Sequence, residues 1–178
     1  MHQLPTPRHA VAGFHVMQPS PAIPQLEAVG EEWLASRTDI SDHAHEIWEV
    51  YFQLDGEADW HDRGGAITLR PGDGYLVAPG VRHHLGRVRG VRHHFVFATI
   101  DVESWLSARL PDLLPLARRA RRRGRLFTGP AEALRAPLRL LVAAVTRASA
   151  HRDLALSLAL DAVCLAMLEW ALEPEAPS

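Results

Sequence analysis

The sequence predicts a mainly β fold completed by α-helices: an antiparallel barrel or sandwich over 1–101, a helical segment over 102–172, and the start of a linker over 173–178. Two observations carry this division. Up to Asp101, short alternating or aromatic segments recur at close spacing, each cut off by Gly, Pro or Asp. Beyond it the apolar residues change to a helical period, and the last segment is apolar on most sides.

The predicted strands run from Val11 to Met17, Glu32 to Thr38, Ile47 to Leu54, Ala58 to His61, Ala66 to Arg70, Tyr75 to Ala78, His84 to Val88 and His93 to Ile100. The breaks have physical reasons. Asp55-Gly56 supplies the positive φ of a tight hairpin, and Arg70-Pro71-Gly72-Asp73 sets Pro and Gly at the centre of a type II turn.

Among the helices, Ser104 to Leu114 is mixed and Leu116 to Arg123 is short and basic. Pro130 is placed like a first-turn proline. Leu134, Leu138, Leu141, Val142 and Val145 then form one apolar stripe opposite Arg135, Arg139 and Arg147, with Pro137 bending that helix or marking its start. Leu154 to Leu172 is polar only at Ser157, Asp161 and Glu169. The central Asp161 and the absence of flanking basic anchors argue against a membrane span. The helix is expected to pack on its predecessor, on the barrel and on a second copy of itself, so a homodimer is predicted, with Leu154, Leu158, Leu165 and Leu168 as its contact residues.

Composition narrows the function. With 178 residues and 47% apolar content the chain can bury a core. Its formal charge of −2 gives no general attraction for nucleic acid, and every basic residue is Arg. Cys164 is the only cysteine, which excludes an internal disulfide and any cysteine-rich zinc site. Met1 to Ala12 has no apolar run of a signal peptide, which places the protein in the cytoplasm.

The stretch Ser41 to Gly56, SDHAHEIWEVYFQLDG, sets two histidines and a carboxylate in a strand-like pattern. If the strand begins near His43, then His43, His45, Ile47, Glu49, Tyr51 and Gln53 share one face, and Trp48, Val50, Phe52 and Leu54 take the other. In a small barrel the polar face looks into a pocket. Two imidazoles and a carboxylate there are a ligand set for Zn, Ni, Mn or Fe(II). After the turn Ala78-Pro79-Gly80, His83 returns towards the same mouth as a fourth ligand. Tyr51, Gln53, Trp33 and Trp60 are candidates for an effector pocket, with barrel packing the alternative for each. His84, His93 and His94 are assigned no site role.

His43-x-His45-x3-Glu49-x6-Gly56 resembles the first motif of the cupin superfamily, and Gly72-x5-Ala78-Pro79-Gly80-x2-His83 resembles the second, with Arg87 where a closing Asn usually stands. The resemblance implies a cupin-type β-barrel (a double-stranded β-helix, or jelly roll) in which His43, His45, Glu49 and His83 bind one divalent ion; the alternative is that they serve as architecture alone. HAHEIWEVYFQLDGEADW followed by ITLRPGDGYLVAPGVRHH is further similar to the amino-terminal sensor domain of AraC-type transcription regulators, over roughly residues 25 to 172. That likeness implies a small-molecule effector, dimerising helices, and DNA contact only through a carboxy-terminal helix-turn-helix domain. Nothing after Ser149 reads as a polar recognition helix.

The run Arg118 to Arg125 has two readings, a phosphate-binding patch or a solvated helix end stopped at Gly124; the second is preferred. Two functions follow: a sensing and dimerisation domain with no catalytic residues, or a metal-dependent cupin enzyme such as an oxygenase or isomerase. The helical tail, nearly half of the chain, suits the first.

Overall fold

Two long strands organise the sheet in this computed structural model, which describes residues 4, 9–36, 38–62, 64–122 and 127–172. They are β4 (Trp48–Asp62) and β7 (His83–Ile100). Around them lie β1 (Ala10–Met17), β2 (Leu26–Ala35), β3 (Ile40–His43), β5 (Gly65–Leu69), β6 (Asp73–Val77) and β8 (Phe127–Pro130). The sheet order is β1-β2-β7-β4-β6-β8, with β3 also paired to β7 and β5 to β4, and every pairing is antiparallel. The helices are α1 (Val102–Arg109), α2 (Leu114–Arg122), α3 (Glu132–Thr146) and α4 (Arg152–Leu172). The architecture is the expected one, a jelly-roll β-barrel followed by α-helices.

Four expected strands merge into two. Ile47 to Leu54 and Ala58 to His61 are one strand, β4, and His84 to Val88 and His93 to Ile100 are one strand, β7. Asp55-Gly56 is therefore a β-bulge within β4 instead of a hairpin: the β4–β7 register shifts on both sides of it, and Gly56 has φ +75°. A Cβ on Gly56 would sit 2.4 Å from the Arg92 carbonyl oxygen, so the two backbones approach too closely for a side chain. The chain reverses after Asp62, whose Oδ1 accepts from the Gly64 N–H at 2.6 Å. The turn at Arg70 to Asp73 forms as expected, with Asp73 N–H donating to the Arg70 carbonyl at 2.9 Å and Gly72 at φ +93°.

The bulge also changes which residues point inward. Before it Glu49, Tyr51 and Gln53 share the inner face, and after it Ala58 and Trp60 do; the extra residue shifts the alternation by one. Tyr51, Ala58, Trp60, Leu69, Tyr75, Leu85, Phe95 and Phe97 form the inner core. Trp48, Val50 and Phe52 point outward, as expected, and pack in a second core with the helices.

That second core is built on the predicted stripe of α3: Leu134, Leu138, Leu141, Val142 and Val145 are all buried. The helix begins at Glu132, so Pro137 lies inside it, and Pro130 ends the edge strand β8 instead of opening a helix. The short strands β3 and β8 have no counterpart in the sequence pattern. Helix α4 is long and apolar enough to cross a membrane (mean hydropathy 1.8), yet half of that window is buried against α3 and the sheet. Three of its four expected dimer contacts, Leu154, Leu158 and Leu165, are exposed at 60%, 59% and 42%. Leu168 is corrected: it lies in the helical core at 3% exposure, because it shares the inward stripe with Leu160, Val163 and Met167. In α2, Ala117 and Ala120 are buried, while Arg118, Arg119, Arg121 and Arg122 are exposed. Arg123, Gly124 and Arg125 of the basic run, and the expected linker 173–178, lie outside the described residues.

Candidate metal centre and cavity

Strand β3 ends at His43, which pairs with His83 at the start of β7. The chain then leaves the sheet until Trp48, so the expected single strand from His43 to Gln53 is corrected. His45 is directed by a bend instead. Its carbonyl accepts from Gly80 N–H at 2.8 Å, and Gly80 stands at φ +81° in a turn closed by Val81 N–H on the Ala78 carbonyl at 3.2 Å. The Ala78-Pro79-Gly80 turn thus fixes both His45 and the approach of His83.

The four predicted ligands come together. His83 Nε2 lies 2.8 Å and His45 Nε2 3.2 Å from the same oxygen, Glu49 Oε2. The His43 and His83 ring centroids are 4.3 Å apart, and one donor atom from each of the four residues falls within 4.8 Å of every other. His83 and Glu49 are buried, and His43 and His45 are half-buried at the cavity.

The charges fit a cation. Burial opposes ionisation of Glu49, but its contacts with His45 and His83 outweigh this and hold its pKa down at about 2. The Glu49 carboxylate in turn raises the pKa of His45 against the pull of burial, whereas burial lowers that of His43. The outer nitrogens of two rings are already engaged: His43 Nδ1 donates to the Ser41 carbonyl at 2.8 Å and His83 Nδ1 to the Val81 carbonyl at 3.0 Å. With Nδ1 so engaged, each ring would offer Nε2 to an ion, the tautomer that metal-ligating histidines adopt. His45 Nε2 is a buried polar atom; Glu49 lies off the line needed for a hydrogen bond to it. The donor set, its outer hydrogen bonds and this unsatisfied nitrogen all suit one divalent cation.

The cluster opens on a cavity of about 250 Å³. Tyr51 and Trp60 line it, as expected. Gln53 does not: it is fully buried behind Tyr51, accepting from the Tyr51 hydroxyl at 2.8 Å and donating to the carbonyls of Asp55 at 2.7 Å and Gly56 at 3.1 Å, so it braces the bulge. Trp33 is also corrected. Strand alternation turns Glu32 into the cavity and Trp33 away from it, where its ring stacks on His94 at 3.9 Å. His93, assigned no site role from sequence, is buried and hydrogen-bonded to the Tyr51 hydroxyl.

Sequence reasoning missed the opposite wall. His9 Nε2 lies 2.9 Å from Glu32 Oε2, and His15 Nδ1 lies 3.5 Å from Glu32 Oε1. Glu32 raises the pKa of His9, whereas burial lowers that of His15. Phe95, Phe97 and Thr99 of β7 lie between this wall and the cluster. The available signal was the adjacent pair Glu31-Glu32 inside a strand, of which one member must face inward.

Residues 32–99 match the family described as Cupin domain. No curated protein matches the chain with significance. Among solved structures, the chain is similar to YhaK from Escherichia coli at 19% identity and TM-score 0.42, over 51% of this chain and 44% of that one. It is similar to a predicted oxalate decarboxylase from Thermotoga maritima at 20% identity and TM-score 0.45, over 49% of this chain and 77% of that one. It is similar to the oxalate decarboxylase of Bacillus subtilis, described for its Mn(II) centres, at 18% identity and TM-score 0.41, over 50% of this chain and 25% of that one. The chain thus spans less than half the length of two of these three proteins. The segment that matches the Cupin domain family, Glu32 to Thr99, encloses all four members of the His/Glu cluster.

Proposed function

We propose that the chain is a small-molecule sensing and dimerisation module of the AraC-regulator type, in which one divalent ion held by His43, His45, Glu49 and His83 forms the floor of the effector cavity. The observation that carries this reading is the pairing of that cavity with a helical layer whose outer side is unusually apolar. Leu140 of α3 and Leu154, Leu158 and Leu165 of α4 are exposed, with Ala143, Ala144 and Ala155 between the two helices. Such a face suits a second copy of the chain. The ion would act as a Lewis acid that accepts an oxygen of the ligand. The protein orients that ligand with the aromatic walls of Tyr51, Trp60, Phe95 and Phe97.

The barrel and helices are connected where such a sensor needs them to be. Arg139 of α3 reaches Glu31 of β2 at 2.6 Å, and His94 of β7 holds the same oxygen at 3.0 Å. Trp170 of α4 lies against β6 at Gly74, where a Cβ would meet its ring at 3.1 Å. A ligand changes the dimer only through a difference in its affinity for two arrangements of these contacts.

A metal-dependent cupin enzyme is the second reading, favoured by the half-exposed His43 and His45, which leave the ion accessible from the cavity. Screening small organic acids with the metal-loaded protein separates the two. A sensor gives a ligand-dependent rise in Tm and a change in the dimer with no turnover; turnover that disappears in Glu49→Gln identifies an enzyme.

A further inference from the structure

Among the described residues, four that line the cavity carry a buried polar atom with no hydrogen-bond partner: His15 Nε2, His45 Nε2, Trp60 Nε1 and Thr99 Oγ1. His45 belongs to the metal cluster and Trp60 packs in the inner core, which leaves His15 and Thr99 to place a ligand. Buried polar atoms are nearly always paired, so each such atom on a cavity wall calls for a partner from the cavity, a water or a polar group of a bound molecule.

Their positions define two ends. Thr99 pairs directly with Glu49 across β7 and β4, so it stands beside the metal cluster. His15 belongs to β1, two strands from the β7 that carries Thr99 in the order β1-β2-β7-β4, roughly 10 Å along the curved wall. It also lies outside the segment that matches the cupin domain. Between the ends the wall is aromatic. The Phe97 ring lies over Gly30, where a Cβ would come within 2.1 Å of it, and stands edge-on to His15 at 5.0 Å between centroids.

The tautomer of His15 gives the far end a definite chemistry. The Glu32 carboxylate stands 3.5 Å from Nδ1, which favours the tautomer with the proton on that nitrogen. Nε2 of the neutral ring is then an acceptor. It calls for an O–H or N–H donor on the ligand. His9 Nε2 lies 2.9 Å from the other Glu32 oxygen, so the carboxylate faces both histidines.

We infer that His15, oriented by Glu32, forms a second subsite for the hydroxyl group of a small hydroxylated carboxylic acid with a ring-sized apolar middle, whose carboxylate binds at the metal cluster beside Thr99. A volume of about 250 Å³ accommodates on the order of ten non-hydrogen atoms. This rests on the proposal that the cavity binds an acid through the ion, and it adds the residue that selects among acids.

The test is calorimetry on the full chain loaded with Mn(II), using benzoate, 3- and 4-hydroxybenzoate and 4-methoxybenzoate. At least one hydroxybenzoate is expected to bind roughly tenfold more tightly than benzoate. The methoxy acid, which has no donor, should show no such gain. His15→Phe is expected to abolish the gain, so that hydroxybenzoates bind no more tightly than benzoate, with Mn(II) still bound. Equal binding of benzoate and both hydroxybenzoates overturns the subsite and leaves the metal-cavity reading standing, as does a gain that survives in His15→Phe. Should none of the acids bind, the subsite and the acid-binding cavity both fail. The comparison among ligands on the wild-type chain decides the matter even where the variant does not fold.

Discussion

Glu49 and His83, 34 residues apart in sequence, meet at 2.8 Å between Oε2 and Nε2, while His83 Nδ1 is held by the Val81 carbonyl. Glu49 is the second residue of β4 and His83 the first of β7, so the two longest strands of the barrel each bring a ligand to the same place. The outer hydrogen bond fixes the ring, and the inner one joins Nε2 to the carboxylate. A cation bound to both would take the place of the proton between them.

Proton competition at this cluster makes metal affinity depend on pH. Glu49, with its pKa near 2, stays ionised throughout the neutral range, so the histidines control the effect. His45 has its pKa raised above 6.5 by Glu49, and the ion must displace that proton. Mn(II) or Zn(II) affinity is therefore expected to increase as pH rises through and above 6.5, as measured by isothermal titration between about pH 6 and 8. The profile should flatten in His45→Gln, which also binds the ion more weakly.

Acid should destabilise the fold through His93. Burial, with a smaller contribution from His94, lowers its folded pKa to about 3, against 6.5 for a free histidine. Between these values the unfolded chain binds the proton that the folded one refuses, so stability present above pH 6.5 is lost as pH falls towards 3. The loss is on the order of a few kcal/mol. Urea denaturation of wild type and His93→Gln at several pH values checks this, the variant showing the shallower dependence.

The Gly56 bulge is open to direct test. Gly56→Ala places a Cβ 2.4 Å from the Arg92 carbonyl in a residue at φ +75°. The expected cost is about 2 kcal/mol, read as a lower Tm with unchanged secondary structure. Because the bulge turns Trp60 inward, the variant should also change the tryptophan fluorescence response to ligand.

The features readable in the sequence were those set by local chemistry. Metal-ligand types at fixed spacing identified His43, His45, Glu49 and His83, and helical periodicity identified the buried stripe of α3. What escaped was set by long-range register. Gly56 has the same local signature in a hairpin as in a bulge, and only pairing with Arg92 of β7 distinguishes them. In β2 the alternation could be read in either phase, which put Trp33 in the cavity and missed Glu32. His15 depends on β1 pairing with β2, a contact no short motif announces. Leu168 was assigned to the dimer because α4 is apolar on several sides, and only its packing partners tell those sides apart.

The exposed leucines give the oligomer a test. Leu158, 59% exposed, lines the apolar depression between α3 and α4. Wild type is expected to be dimeric by light scattering at micromolar concentration, and Leu158→Arg monomeric, with a lower Tm that no longer depends on protein concentration. A monomeric wild type would remove the dimerisation part of the proposal.

The most direct test of the central claim is metal stoichiometry by inductively coupled plasma mass spectrometry, on wild type and His83→Ala after Mn(II) loading and dialysis. The account predicts about one ion per wild-type chain and nearly none in the variant. A wild-type chain that retains no ion, or a variant that retains as much, would contradict it.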